Sequence, residues 1–340
     1  MEFAPDHLRL SGAKAMIQSL IQFERDGRRG IAAIDKSGAA YRVTAADRTL
    51  DLAEQAIAGG VGLETLVIPA LGERVDLASC RLLAPIDHAD PAHLLVSGTG
   101  LTHMGSAEGR DKMHKAAAGG HATDSMKMFL MGLEGGRPSP GAIGAQPEWF
   151  YKGDGSILVP PGAPLASPAF ARDGGEEPEI AGIYVIDPDG QPVRLGFSLG
   201  NEFSDHVTER ENYLWLAHSK LRQASLGPEL RLGELPADVR GVSRIRRGDR
   251  IVWENPFATG EANMSHTIAN LEHHHFKNAL FRRPGDVHVH FFGTATLSFA
   301  DGVRTEPGDV IDINADAFRY PASNPLAAGS DEGPVTVRPL

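Results

Sequence analysis

The sequence predicts an α+β protein in which a small mixed α/β unit precedes a larger region of short strands and turns. Three observations lead there. Glycine (39) and proline (23) are plentiful among the 340 residues, as a chain with many tight turns requires. Helical spacing is concentrated in the first part of the chain. From about residue 142 onward the apolar residues come instead in short runs separated by turn residues.

Taken in order, residues 12–29 (GAKAMIQSLIQFERDGRR) have helical spacing, with Met16, Leu20 and Phe23 on one side. A second helix is predicted at 44–58, opened by a Thr cap and stopped by Gly59 and Gly60. Short apolar runs at Gly30–Ile34 and Leu63–Ile68 complete an N-terminal α/β unit over 1–95. The next stretch, 107–131, is helix-like but interrupted by Gly119 and Gly120, and Gly135–Gly141 reads as a loop. Strands follow at Ile157–Val159, Ile180–Ile186, Val193–Ser198, Arg250–Trp253, Val287–Phe292 and Val310–Ile313. One helix interrupts them near Ser204–Asp205 and carries Asn212 to Leu216; another covers Thr267–Asn278. This second domain spans 96–320, and the turn-rich tail 321–340 is expected to be a loosely attached arm.

Composition removes several functions. A net charge of −11 argues against a general nucleic-acid or anionic-membrane binder. Arg244, Arg246, Arg247 and Arg250 sit among acidic neighbours and read as a solvated strand or turn. Aromatic residues, at 6%, are too sparse for a stacking platform. No run approaches the roughly 18–20 apolar residues of a membrane span, and the start MEFAPDHLRL has no basic region followed by an apolar stretch. The single cysteine, Cys80, fits a reducing compartment and reads as a small core residue. A cytoplasmic location is the expectation.

Candidate chemistry begins at Glu176-Glu177-Pro178-Glu179-Ile180, which enters the strand AGIYVI. Residues two apart in an extended chain point to one face, so Glu177 and Glu179 present two carboxylates side by side. Their repulsion raises each other's pKa, and a hard divalent cation with oxygen ligands relieves it. Taken alone, such a pair is most often a solvated acidic loop. The next strand, VRLGFSLGNE, ends at Glu202 and leads into a helix, and Lys220 follows in LAHSK. A buried lysine beside carboxylates can balance charge, orient a ligand or move a proton; an exposed helix-end lysine is the plainer reading.

The run GNEFSDHVTERENYLWLAHSKL, preceded by EEPEIAGIYVI and followed by FFGTATLSF and EPGDVIDI, resembles the fumarylacetoacetate hydrolase superfamily. It is most similar to the sugar-acid branch that includes 2-keto-3-deoxypentonate (2-keto-3-deoxyarabinonate) dehydratases, over roughly residues 95–315. The resemblance implies a mixed β-roll or β-sandwich catalytic domain, a homodimer, and Mg²⁺ held by Glu177, Glu179 and Glu202, with Mn²⁺ or Ca²⁺ as substitutes. It places Lys220 in the site. One departure matters: the branch carries aspartate as its third ligand where this chain has Glu202, and Asp205 stands as the alternative.

Superfamily hydrolases that cleave carbon–carbon bonds carry a motif like G-x-N-Y-x-x-H-x-x-E, whose His–Glu pair activates water. The matching segment here, Gly100 to Glu108, has Ser106 near the histidine position and no H-x-x-E. Dehydration needs no attacking water. Chelation of a 2-keto acid acidifies its C3 protons by stabilising the enolate; a base then takes a C3 proton and an acid helps the C4 hydroxyl leave. Glu108, His103 and Lys220 are the candidates for this proton traffic. Phe150-Tyr151-Lys152 resembles the family's F-F-K segment, where the lysine helps bind the acid, and Gly293-Thr294 matches a late G-T turn that can hold a carboxylate.

The histidines raise a separate possibility. His288 and His290 alternate on a strand and share a face. His273, His274 and His275 diverge by about 100° each on a helix, so they cannot all bind one ion. A lining or subunit-interface role is the expectation for the alternating pair. The sequence as a whole implies a Mg²⁺-dependent lyase that dehydrates a small 2-keto-3-deoxy sugar acid in pentose catabolism. The alternatives are an acylpyruvate or diketo-acid hydrolase or decarboxylase, and a non-catalytic sugar-acid-binding protein.

Overall fold

The computed structural model describes residues 16–104, 124–331 and 333–340, and its first element departs from the sequence reading. Where a helix was predicted, Ile17–Arg25 (β1) and Arg28–Asp35 (β2) form an antiparallel hairpin. Asp26 and Gly27 turn it, with φ 53° and 72°, the left-handed pair of a two-residue hairpin loop that Asp-Gly favours. The helical pattern was misleading because β1 is buried on both faces. Leu20 packs with Ile31 and Ala33, while Ile21 and Phe23 pack on the opposite side with Ala32 and Ile34. A strand covered on both sides shows no alternation to betray its period.

The chain continues through Ala40–Val43 (β3), then α1 at Thr49–Gly59 and α2 at Leu63–Val67. α1 starts at Thr49 rather than Thr44, and Gly60 ends it with φ 61°, a left-handed stop that needs no Cβ. Short strands Leu71–Arg74 (β4), Arg81–Leu82 (β5) and Leu94–Gly98 (β6) follow. Of the helix expected over 107–131, the described part belongs to α3, Asp124–Gly135. Beyond it lie Phe150–Asp154 (β7), Leu158–Val159 (β8), Leu165–Ser167 (β9), Pro178–Ile186 (β10) and Pro192–Asn201 (β11). The next helix is not continuous: α4 covers His206–Glu211, Asn212 breaks it, and α5 resumes at Leu216–Lys220 after a 3₁₀ turn.

Ala224–Leu226 (β12), Glu229–Arg231 (β13), Val239–Arg247 (β14) and Arg250–Thr259 (β15) then precede α6 at Ile268–Phe276. Val287–Phe291 (β16), Asp309–Ala315 (β17) and Ala322–Ala328 (β18) finish the series. The tail is therefore not an arm over its whole length. β18 pairs antiparallel with β17 and parallel with β9, and Leu326 is buried in the core. Only alternate residues of β18 face inward, too few to stand out among its Pro, Ser and Asn.

Two sheets organise the fold. The larger runs β4-β3-β2-β1-β13-β11-β10-β16-β6-β7, so the N-terminal strands join the later ones in one sheet through β1 against β13. The smaller runs β15-β14-β17-β18-β9. One core cluster fills the space between them, with Ile180, Phe197 and Leu199 of the large sheet against Ile245, Phe257, Ile311 and Ile313 of the small one. A second covers the other face of the large sheet under α1 and α2. β10 is buried at all nine positions, as the apolar run from Ile180 to Ile186 requires of most of it. Cys80 packs half-buried beside Phe23 and Val75. The arginines of β14 meet acidic partners: Arg244 pairs with Glu254, Arg246 with Asp312 and Arg247 with Asp309. Among the described residues no helix is long and apolar enough to cross a membrane.

The histidines expected at a lining or interface lie in the interior instead. His275 of α6 enters the core beside His288 and His290 of β16, while His273 faces out. His275 Nε2 meets His288 Nδ1 at 3.0 Å, Ser97 Oγ meets His290 Nδ1 at 2.9 Å, and Trp149 Nε1 donates to His275 Nδ1 at 3.1 Å. Burial drives His290 down to about 3 and His288 to about 4. An unfolded histidine titrates near 6.5, so this part of the stability is complete above that pH and is lost as pH falls toward the folded values. His290→Gln removes one such proton uptake. Between pH 7.5 and 5 its stability relative to wild type should improve by about 2 kcal/mol, whatever the substitution costs at neutral pH. Urea unfolding at both pH values measures this; identical pH dependence for the two proteins refutes it.

Candidate functional site

The site is built at the shared end of β10 and β11. Their antiparallel register pairs Pro178 with Asn201 and Glu179 with Gly200. Beyond the last pair, Glu202 N–H donates to Glu177 C=O at 3.0 Å, and Asn201 Oδ1 accepts from Glu177 N–H at 3.1 Å. The two-residue period of β10 keeps Glu177 and Glu179 together, and the pairing brings Glu202 across from them. One oxygen from each carboxylate lies within 4.8 Å of the others, and all three residues are buried. Among the described residues this is the one group of three or more His, Cys, Asp or Glu side chains disposed to hold a single ion. Asp205, the alternative to Glu202, is engaged elsewhere. It caps α4 through Thr208 N–H and accepts from Arg172 N–H and from Arg222 Nη2 at 2.9 Å.

Two lysines enter the cluster. Lys220, at the end of α5, donates to Glu177 Oε1, to Glu202 Oε2 at 2.6 Å and to Ser204 Oγ at 3.1 Å. Burial would neutralise it, but Glu177, Glu202 and Glu209 outweigh burial and raise its pKa well above the ordinary lysine value. Lys152, on β7, ion-pairs with Glu202 and donates to Phe203 C=O at 2.6 Å and Lys220 C=O at 3.0 Å. Three acceptors match its three N–H donors. In the folded chain Lys152, expected to help hold a substrate acid, pairs with Glu202 and ties two backbone segments.

The charge is unevenly balanced. Burial opposes ionisation of Glu177, yet Lys220 and His206 hold its pKa below the usual carboxylate range. Burial and then the charges of Glu177 and Glu202 push Glu179 well above that range. Glu179 accepts only a backbone hydrogen bond, from Gly293 N–H at 2.7 Å; among the described residues no lysine, arginine or histidine reaches it as an ion pair. A set of buried hard oxygen donors with one carboxylate lacking a counter-charge fits a divalent cation.

Neither a family model nor a curated protein matches this sequence. Solved structures do match the fold. A 2-keto-3-deoxyarabinonate dehydratase aligns with a TM-score of 0.67 at 20% identity, over 92% of this chain and 100% of that one. A 2-keto-3-deoxy-D-arabinonate dehydratase complexed with magnesium and 2,5-dioxopentanoate gives 0.66 at 18% identity, over 92% and 100%. Fumarylacetoacetate hydrolase from psychrophilic Exiguobacterium antarcticum gives 0.59 at 19% identity, over 92% and 99%. This is the fumarylacetoacetate hydrolase fold. The architecture implied by the sequence motifs is the one the chain adopts.

Within that fold the remaining expected residues fare differently. Gly293 has φ 95°, and a Cβ there would collide with Thr102 and the Thr99 carbonyl, so only glycine suits the turn. Its N–H is directed at Glu179 and not left open for a substrate carboxylate. Thr294 is half-buried beside it, and its Oγ1 accepts from Thr296 N–H at 3.3 Å. His103 is not disposed for proton traffic. Its Nδ1 meets Thr102 Oγ1 at 3.0 Å and its Nε2 meets Thr259 Oγ1 at 2.8 Å, while burial lowers it to about 3. A neutral ring with both nitrogens engaged pins the loop behind Gly293. Glu108 and Ser106 lie outside the described residues.

Sequence reasoning missed four residues here. His206 bonds Glu177 Oε1 through Nε2 at 3.0 Å, and Asp173 lies 3.3 Å from its other nitrogen. Burial favours the neutral ring, but the two carboxylates hold it up at about 10. Glu176 accepts from Ser298 N–H and Oγ, both at 2.7 Å, clamping the loop after Gly293 onto the start of β10. Glu148, just before β7, is raised to about 7 by burial, against the pull of Tyr213 and Lys220. Tyr213 is the fourth: its hydroxyl donates to Glu148 Oε2. The only available sequence signal was adjacency, since Glu148 and Tyr213 lie in segments already singled out for Lys152 and Lys220.

The assignment of Asp205 to α4 and Arg222 is testable on stability. Asp205→Ala removes a cap and strands a buried guanidinium, and should cost about 3–5 kcal/mol in urea unfolding. Asp205→Asn keeps the capping acceptor and should cost less. A D205A protein within ~1 kcal/mol of wild type contradicts this reading.

Proposed function

We propose that this chain is a divalent-metal-dependent lyase that dehydrates a small 2-keto-3-deoxy sugar acid, taking 2-keto-3-deoxypentonate to 2,5-dioxopentanoate in pentose catabolism. The observation that carries the reading is the buried set Glu177, Glu179 and Glu202, with Glu179 lacking a counter-charge. These three residues would hold Mg²⁺, and Mn²⁺ or Ca²⁺ would suit the same oxygen donors. Bound there, the ion supplies Lewis acidity to the 2-keto oxygen and carboxylate of the substrate, which makes the C3 protons removable. The neighbour that carries magnesium and 2,5-dioxopentanoate supports this choice of chemistry, as does the missing H-x-x-E pair in the sequence.

The chain's own residues divide the remaining work. Lys220 and His206 keep Glu177 ionised and fixed in place. Lys152 fixes Glu202 in place and works against the burial that raises that carboxyl above its ordinary pKa. Glu148, held near 7, has a pKa matched to neutral pH, which suits a carboxylate that takes a C3 proton and then passes that same proton to the departing C4 hydroxyl. Thr294 remains available to hold the substrate acid. The reading includes a cytoplasmic homodimer, in keeping with the single unpaired Cys80.

Purified protein with Mg²⁺ and D- or L-2-keto-3-deoxypentonate should form 2,5-dioxopentanoate. Failure with both stereoisomers, or release of pyruvate or CO₂ from acylpyruvates or diketo acids instead, overturns the dehydratase assignment. Glu179→Gln should weaken Mg²⁺ binding by more than the roughly 10–100-fold typical of changes around a metal site. Calorimetric titration measures it, and unchanged affinity removes Glu179 from the ligand set.

A further inference from the structure

One short segment, residues 206–220, reaches the site three times. His206 contacts Glu177, Lys220 contacts Glu177 and Glu202, and between them Tyr213 contacts Glu148. The placement of Tyr213 is built in. Asn212 breaks the helix and caps the following 3₁₀ turn, its Oδ1 accepting from Leu214 N–H at 3.1 Å. That turn directs the Tyr213 ring toward the stretch before β7, where Glu148 is only 7% exposed. The Glu148 carboxyl lies over Gly100, whose missing side chain leaves the space it occupies; a Cβ there would overlap Oε1. Lys220 Nζ stands 5.0 Å from the ring centroid of Phe150, two residues along the chain from Glu148. Glu148 is thus confined by backbone on one side and by a single donated hydrogen bond on the other.

We propose that Tyr213 is the positioning residue for proton transfer in this site, fixing the Glu148 carboxyl in one rotamer against Gly100. The inference rests on the lyase reading only in requiring that Glu148 carry the proton. A hydroxyl donor favours the charged acceptor, so Tyr213 lowers the pKa that burial raises. The other groups acting on Glu148 come from three elements. Lys220 of α5 lowers it, while Glu209 of α4 and Glu177 at the start of β10 raise it. On the far side, the Tyr213 hydroxyl also interacts with Ser125 of α3. Removing the hydroxyl leaves burial and the two carboxylates opposed by Lys220 alone, so Glu148 must titrate higher.

Tyr213→Phe keeps the ring and removes the bond. With Mg²⁺ and 2-keto-3-deoxypentonate, its kcat should fall by about 10-fold with KM within about 2-fold, as for an interaction made in the transition state. The limb of the pH–rate profile near 7 should move up by about one unit. Glu148→Gln should lose roughly 100-fold or more in kcat, and adding Y213F to it should cost nothing further. A Y213F profile that overlays wild type while E148Q is inactive overturns the inference. An E148Q enzyme at the wild-type rate also overturns it, yet leaves the dehydratase reading standing. Carboxyl ¹³C NMR titration of Glu148 in wild type and Y213F gives a readout independent of substrate. An upward shift in the variant supports the inference even if the substrate is wrong, and no shift refutes it.

Discussion

Glu177, Glu179 and Glu202 bring their oxygens within 4.8 Å of one another inside the protein, where little water is present to screen three negative charges. Burying even one carboxylate without a partner is costly, and three together repel. The surrounding structure answers that constraint from several directions. β7 supplies Lys152, α5 supplies Lys220, α4 supplies His206, and the turn after β16 supplies the Gly293 N–H. β7, β10, β11 and β16 belong to the same large sheet. Its order therefore decides which charges can meet.

The answer prevails over burial for Glu177, falls short of it for Glu202 despite two lysines, and is weakest for Glu179. This asymmetry gives the site its chemical direction. Glu177 and Glu202 are fixed by ammonium and imidazolium groups, while the third carboxylate has only a backbone amide. A cation entering there would meet oxygens already arranged and held by packing, which is how a rigid carboxylate site favours a hard ion. Lys152 and Lys220, both buried, make their contacts with the carboxylates themselves.

The same fold serves a dehydratase and a hydrolase among the solved structures, so the fold leaves the reaction open. What distinguishes this chain lies around the carboxylates. Its Gly100–Glu108 segment lacks the His–Glu pair of the hydrolases. In the folded chain Glu148 stands beside Lys220, confined by Gly100 and Tyr213.

The sequence by itself determined the fold class and pointed to the three carboxylates that the structure brings together. Strand period places Glu177 beside Glu179, and the unbroken register from Glu202 to Lys220 lies within one local segment, so both are legible without tertiary knowledge. It misread the hairpin at 17–35 and the strand at 322–328, because a strand buried on both faces loses its alternation and a half-buried one diluted by proline and serine loses its apolar signal. Tertiary structure alone decided the side-chain partners. Lys152 reaches Glu202 across 50 residues, Gly293 reaches Glu179 across 114, and Tyr213 reaches Glu148 across 65. No local pattern encodes such pairs. They exist because sheet order brings distant segments together, and because a buried charge is stable only where a partner arrives with it.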